Sequence, residues 1–189
     1  YKGFGVSACA TCDGFFYKDK IVAVIGGGNM AVEEAIFLTK FASKVYLIHR
    51  RDELRAEKIL QKRLFENSKI EIIWNKQVTD VLGEDNPLGV TGIQIKDTLS
   101  KELSEVSCSG VFVAIGHSPA SDLIKDQLDL FDGGYVNTIS GTTKTSIPGV
   151  FAAGDLVDNV YRQAVTSAAM GCMAALDAEK YLSDIDNGN

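Results

Sequence analysis

Cys9 and Cys12 are separated by two residues and followed directly by Asp13. Two intervening residues let the thiols close a small disulfide, and such a pair can activate one of its thiols. The thiolate is the species that attacks a disulfide. Asp13 is placed to give or take the proton that the exchange moves. Two other readings compete at this level. One is zinc, which needs four ligands; Cys108 and Cys172 form no second C-x-x-C, and both histidines, His49 and His117, are distant in sequence. The other is an inert buried pair. Cys108 and Cys172 read as plain core residues, and His117 as a structural residue in a turn.

The second group is Gly26-Gly27-Gly28-Asn29-Met30-Ala31, which fits G-x-G-x-x-G/A. The pattern gains meaning from its context, after an expected strand and at the opening of an expected helix. Gly26 permits the tight turn, and Gly28 lets the backbone approach a pyrophosphate with no Cβ in the way. Ala31 keeps the helix close to the strand. The pyrophosphate would sit on the N–H groups and positive dipole end of the helix. The competing reading is a Gly-rich turn without a ligand.

The end of the next strand selects the nucleotide. An NAD site places an acid there for the ribose 2′-OH. This chain has His49-Arg50-Arg51, with Arg55 one helical turn further on. Guanidinium groups bind a 2′-phosphate through paired, charge-assisted hydrogen bonds, where a carboxylate would repel it. The pattern therefore predicts NADP rather than NAD. The alternative is a solvated face in which these arginines pair with Asp52, Glu53 and Glu57.

These groups need a scaffold, and the chain spells one out. Residues 20–25 are a continuous apolar run of strand length, which predicts a strand buried on both faces, as in a parallel sheet. From 29 to 41 the period becomes helical, with Glu33 and Glu34 on the polar face and Met30, Phe37 and Phe41 among the apolar positions. Residues 44–48 form a second strand, completing a βαβ unit of about 30 residues. Residues 55–65 predict an amphipathic helix with Ile59, Leu60 and Leu64 on one face, and 70–74 a further strand. Residues 78–82, 90–96 and 102–106 alternate, with turn signals at Asn86-Pro87 and 97–101, and predict an antiparallel meander. Residues 111–115 are a last buried strand, and Gly116-His117-Ser118-Pro119 is the candidate boundary. Beyond it lie Gly133-Gly134, a strand at 150–153 and a long helix from about 160 to 182. Residues 119–189 read as too few elements for a domain of their own, and as completing a domain whose other half lies elsewhere.

Composition bounds the function. At 189 residues the chain makes one large domain or two small ones, and 46% hydrophobic with 23% charged residues excludes disordered and fibrous classes. Nineteen Lys+Arg against 25 Asp+Glu give −6, a poor balance for binding nucleic acid or an anionic membrane. No uncharged apolar run approaches the ~18–20 residues of a bilayer span. Four cysteines make no disulfide scaffold. The chain opens on Tyr1 rather than Met, so it reads as a fragment, and a missing signal peptide says nothing about location.

Taken together, CATCDGFF (9–16), VIGGGNMAVEEA (24–35), HRRDELRAEK (49–58), GVFVAIGHSP (110–119), SIPGVFAAGD (146–155) and YRQAVTSAAMGCMAAL (161–176) resemble the bacterial-type, low-molecular-weight thioredoxin reductases. The resemblance runs in order over nearly the whole chain. It implies an α/β architecture with a Rossmann-like NADPH-binding domain, parallel sheet plus antiparallel meander, at residues 1–117. At 118–189 it implies the C-terminal portion of a FAD-binding Rossmann-like domain. The N-terminal FAD segment, with its own Gly-rich loop, would lie outside this chain, so the fragment is expected to bind NADPH but not to carry electrons to a protein disulfide by itself.

Position by position, the resemblance implies that Cys9 and Cys12 are the redox disulfide and Asp13 the acid beside it. Gly26, Gly28, Asn29 and Met30 would serve the NADPH pyrophosphate, and His49, Arg50, Arg51 and Arg55 the 2′-phosphate. Gly154 and Asp155 would serve FAD, and Arg162, Gln163 and Ala164, opening the last helix, would face the flavin. The implied activity moves electrons from NADPH through FAD and the disulfide to oxidised thioredoxin, in a cytoplasmic homodimer. The nucleotide domain would rotate about hinges near residues 3–5 and 116–119. Two alternatives stay open: a sister flavoprotein that feeds a peroxidase, against which Ala10-Thr11 speaks, and a non-enzymatic NADP-binding module.

Overall fold

Alternate residues of the apolar runs find different partners, and this decides the architecture of the first half of the chain. In the computed structural model, which describes residues 1–131 and 133–188, β2 (Ile21–Ile25) points Val22 and Val24 into one core and Ala23 into another. The first core is filled by α2 (Asn29–Leu38) through Ala31, Val32, Ala35 and Leu38. β3 (Lys44–Ile48) and β8 (Gly110–Val113) divide in the same way, with Leu47 and Phe112 on the helical side and Ile48 and Val111 on the other. With β1 (Val6–Ser7) and β4 (Ile70–Ile73) they form a parallel five-stranded sheet in the order β1-β8-β2-β3-β4. The expected βαβ unit is β2–α2–β3.

The second face is covered by the expected meander, β5 (Lys76–Asp85), β6 (Leu88–Asp97) and β7 (Leu103–Ser107), all antiparallel. Its buried contributions are Val90, Ile93 and Ile95, packed with Cys108 and Val111. Lys76 and Asp97 form an ion pair at 2.7 Å across the β5–β6 ladder. That hydrogen bond, then the N–H groups of Ser100 and Leu99, holds the Asp97 carboxyl down at about 2.

Two elements differ from the sequence pattern here. α3 is Lys58–Phe65 and not 55–65. The N–H of Arg55 is spent on the Gly27 carbonyl at 2.8 Å, and that of Glu57 on the Asn29 side chain at 2.8 Å, so residues 55–57 bridge to the Gly-rich turn. On α3 only Leu64 is buried; Ile59 is 55% exposed. α2 ends at Leu38, and a turn with Ala42 N–H on Leu38 carries the chain through Phe41.

The chain forms two compact units, Tyr1–Gly116 and His117–Asn189. In the second, β9 (Leu130–Phe131) and β10 (Tyr135–Val136) make a small hairpin whose turn uses Gly133 and Gly134, both at positive φ (90° and 84°). Leu128, Val136 and Ala152 form its core. The expected strand at 150–153 is reduced to one bridge, Lys144 to Phe151, because its ladder partner is the bent segment around Thr143. The last helix, α4 (Ala164–Asp186), starts four residues later than expected and buries none of its residues. Cys172, on this helix, is therefore exposed, whereas Cys108 is buried as expected and its thiol is pushed by burial up to about 11.

Candidate nucleotide and redox sites

Cys9 and Cys12 are joined as a disulfide, with their Cα atoms 5.3 Å apart. They frame a short helix, α1 (Ala10–Asp13), of which Cys9 is the N-cap. Sulfur replaces the usual oxygen cap: Cys9 Sγ accepts the N–H of Cys12 at 3.2 Å. Ser7 Oγ accepts the N–H of Cys9 at 3.0 Å. The N–H of Ala10 is held by Glu34 Oε1 at 3.4 Å. Asp13 closes the helix, its N–H on the Cys9 carbonyl at 3.2 Å. Burial, and then the Asp13 charge, raise the pKa of the Tyr17 hydroxyl.

Glu34 departs from the amphipathic pattern. It turns inward from α2, and its Oε2 is buried with no hydrogen-bond partner among the described residues. Burial raises its pKa against the opposing pull of the Ala10 N–H. A carboxyl whose folded pKa lies above its unfolded value makes a contribution to stability that is complete below 4.5 and is lost as pH rises through the folded value. Glu34→Gln keeps an acceptor for Ala10 and removes the titration. Urea unfolding of the variant should show a flatter decline in stability above pH 4.5 than the wild type; an identical decline would show that Glu34 is not the group responsible.

The Gly-rich turn and the end of β3 enclose a cavity of about 650 Å³. Of the expected nucleotide residues, Gly26, Gly28, Asn29, Met30, His49, Arg50 and Arg55 line it, and Arg51 does not. The three glycines differ in what they do. A Cβ at Gly26 would strike the Ala114 carbonyl, and one at Gly27 would clash with the edge of the His49 ring, so packing demands both. A Cβ at Gly28 would meet nothing within 4 Å, so its side-chain space opens outward.

His49 is only 5% exposed, with Nε2 on the Glu53 carbonyl at 3.0 Å and its ring edge-on to Trp74. Burial lowers its pKa, and Arg51 and Arg55 add to this against the backbone of Glu53 and Gly26. Its ring is therefore neutral at pH 7 and forms a wall of the cavity. Arg50, Arg51 and Arg55 are exposed and form no ion pair among the described residues, so the solvated pairing with Asp52, Glu53 and Glu57 is not what the structure shows. Lys76 joins the lining unpredicted, its ammonium shared with Asp97.

In the second unit, Gly154, at φ 71°, and Asp155 open a 3-10 turn, and Asp155 accepts from Ser167 Oγ at 3.1 Å. The approach to α4 is organised by a residue outside every motif of the sequence. Asp158, 7% exposed, accepts the N–H groups of Val160 (3.0 Å), Tyr161 (2.8 Å) and Arg162 (2.9 Å), and the Thr166 hydroxyl (3.1 Å). Burial alone would raise its carboxyl; these four donors outweigh it and hold the pKa below the ordinary value. They also hold Arg162 in the left-handed region, at φ 50°. Gln163 caps α4 in a capping box with Thr166. Thus the N–H of Arg162 is already committed, and α4 opens on Ala164 and Val165.

A family model described as pyridine nucleotide-disulphide oxidoreductase matches residues 1–171. The chain belongs to this family. Within it, the chain is a thioredoxin reductase homologue. It is 59% identical over 183 residues to the thioredoxin reductase of Rickettsia felis, covering 97% of this chain and 59% of that protein. It is 53% identical over 193 residues to that of Coxiella burnetii, covering 98% and 60%. The solved thioredoxin reductase of Streptococcus pyogenes superposes with a TM-score of 0.87 at 40% identity, over 95% of this chain and 58% of that one. The chain thus spans about 59% of the length of these relatives. The α/β fold, with its parallel sheet and antiparallel meander, is that of the pyridine nucleotide-disulphide oxidoreductases. Among the described residues no helix is long and apolar enough to cross a membrane, and no cluster of His, Cys, Asp and Glu could hold a metal.

Four residues that shape the sites are not among those to which the motifs assign a site role: Glu34, Glu57, Lys76 and Asp158. Asp158 stands six residues before α4, whose N-cap is Gln163, and acts on the N–H groups two to four residues ahead of it. The others are set by tertiary contacts 21 to 28 residues away in the chain.

Proposed function

We propose that this chain is the part of a bacterial-type thioredoxin reductase that binds NADPH and carries the disulfide that reduces thioredoxin. The observation that carries this reading is one helix, α2. Its first turn closes the cavity lined by Arg50 and Arg55, and Glu34 on its second turn holds the N–H of Ala10 inside the Cys9–Cys12 loop. Gly28 leaves room for a pyrophosphate, and the arginines supply donors for a 2′-phosphate. The His49 ring would pack against the nucleotide as a neutral wall. In the second unit, Gly154, Asp155 and the start of α4 are the residues that would serve FAD, and we read His117–Asn189 as the C-terminal part of the FAD domain. NADPH and FAD, when bound, supply two electrons as a hydride relay.

The chain's own chemistry is thiol–disulfide exchange. Reduction of the Cys9–Cys12 bond takes two electrons and two protons and leaves two thiols. The thiolate of one attacks a thioredoxin disulfide, forming a mixed disulfide and releasing one thioredoxin thiolate. The second cysteine attacks the mixed disulfide, restores Cys9–Cys12 and releases the other. Cys9 is the better first nucleophile, because the N–H of Cys12 already points at its sulfur. Asp13 is placed on the same short helix to accept or return the proton.

Titration of the 189-residue chain with NADPH and NADH, followed through its single tryptophan, Trp74, beside His49, tests the reading. NADPH should bind at least about tenfold more tightly, the worth of one charge-assisted hydrogen bond. Equal affinities would overturn it.

A further inference from the structure

The side chain of Asn29 makes a two-point contact with a residue 28 positions away. Its Oδ1 accepts the N–H of Glu57 at 2.8 Å, and its Nδ2 donates to Glu57 Oε1 at 3.1 Å. Both residues are exposed, and together the two bonds occupy the carbonyl and one N–H of the amide. Asn29 stands directly after Gly28, where the sequence pattern assigns its residue to the pyrophosphate. The side chain instead faces the segment that follows β3.

That segment holds the cationic groups. It starts at His49-Arg50-Arg51 and runs through Arg55 to Glu57, with α3 beginning only at Lys58. It is tied down at discrete points: His49 Nε2 on the Glu53 carbonyl, Arg55 N–H on the Gly27 carbonyl, and Gln61 Nε2 on the Ala56 carbonyl at 2.7 Å. The Asn29–Glu57 contact closes the segment on the C-terminal side of Arg55. Exposed hydrogen bonds add little to stability, so this pair is better explained by what it positions. Fixing a loop in its bound conformation raises affinity by removing the cost of ordering it.

We infer that Asn29 is a specificity-determining positioning residue: by clamping Glu57 it fixes the segment that presents Arg50 and Arg55, and so serves recognition of a nucleotide 2′-phosphate. The inference rests on the NADPH reading above. It separates from a pyrophosphate role by a simple property of the ligands. NADPH and NADH share the pyrophosphate and differ in the 2′-phosphate. A lost pyrophosphate contact weakens both equally; a lost clamp weakens NADPH alone.

The experiment is titration of the full 189-residue chain with NADPH, NADH, 2′,5′-ADP and 5′-AMP, in wild type, Asn29→Ala and the exchanged pair Asn29→Asp/Glu57→Gln. All three carry the same net charge at this pair. In the exchanged pair the new carboxylate at position 29 still accepts the backbone N–H of residue 57, and the side-chain bond re-forms with donor and acceptor reversed. Asn29→Ala should lower affinity for NADPH and 2′,5′-ADP about fivefold, one net hydrogen bond, and leave NADH and 5′-AMP within about twofold. The exchanged pair should return to within about twofold of wild type. Equal losses for NADPH and NADH, no loss for either, or no recovery in the exchanged pair would each overturn the inference. A wild type that does not prefer NADPH would overturn the nucleotide reading itself, a distinct result visible before any variant is made.

Discussion

Arg50→Ala should weaken NADPH binding about ten- to a hundredfold while NADH changes by no more than about twofold, since the lost bonds are charge-assisted and reach only the 2′-phosphate. The structure sharpens this expectation in two ways. Arg50 lines the cavity, is exposed and has no carboxylate partner among the described residues, so its charge is available to a ligand. Arg51 is exposed but does not line the cavity, so Arg51→Ala should have the smaller effect. Both effects should shrink as salt is added, because exposed charges are screened. Parallel losses for the two nucleotides in Arg50→Ala would show that the residue acts on something other than the 2′-phosphate.

The parallel sheet is legible in the sequence because its information is local and redundant. The run at 20–25 is apolar at every position after Lys20, and both of its faces are buried by elements that the sequence also announces, α2 on one side and the meander on the other. The second unit is less legible for the converse reason. Residues 150–153 have the composition of a strand, yet their partner near Thr143 bends away after one bridge, and composition cannot supply a straight neighbour. The start of α4 is hidden because Asp158 gathers the N–H groups of residues 160–162 into a turn with Arg162 left-handed, and a periodicity argument does not see a side chain reaching forward two to four residues.

The candidate site divides along the same line. Residue types that must be what they are show through: cysteines two residues apart, glycines at a turn, arginines where an acid would serve NAD. Residues that act by holding others do not. Glu34 reads as one of two adjacent acids on a polar face, and only the packing of α1 against α2 turns it inward to Ala10. Glu57 reads as an interior residue of an amphipathic helix, and only its contact with the Gly-rich turn makes it the N-cap position instead.

The largest effect should come from the cysteines. Mild reduction of the wild type should expose two additional thiols, and Cys9→Ser/Cys12→Ser should abolish that gain. The background matters to the design. Cys108 is buried with its thiol pushed up to about 11, so it stays silent at neutral pH, whereas the exposed Cys172 reacts and is best removed as Cys172→Ser in every chain compared. In that background the single replacements separate the two sulfurs. With Cys12→Ser, Cys9 keeps the N–H of residue 12 at its sulfur and its place at the head of α1. With Cys9→Ser, Cys12 sits in the body of that helix rather than at its head. Alkylation at neutral pH should therefore run roughly an order of magnitude faster for Cys9 than for Cys12, as expected for a thiolate stabilised at a helix N-terminus. The Cys12→Ser chain should also hold a disulfide-bearing partner as a stable mixed disulfide, since the resolving thiol is gone. Equal alkylation rates would remove the basis for naming Cys9 as the first nucleophile, and a thiol gain that survives in the double variant would move the redox function away from this pair altogether.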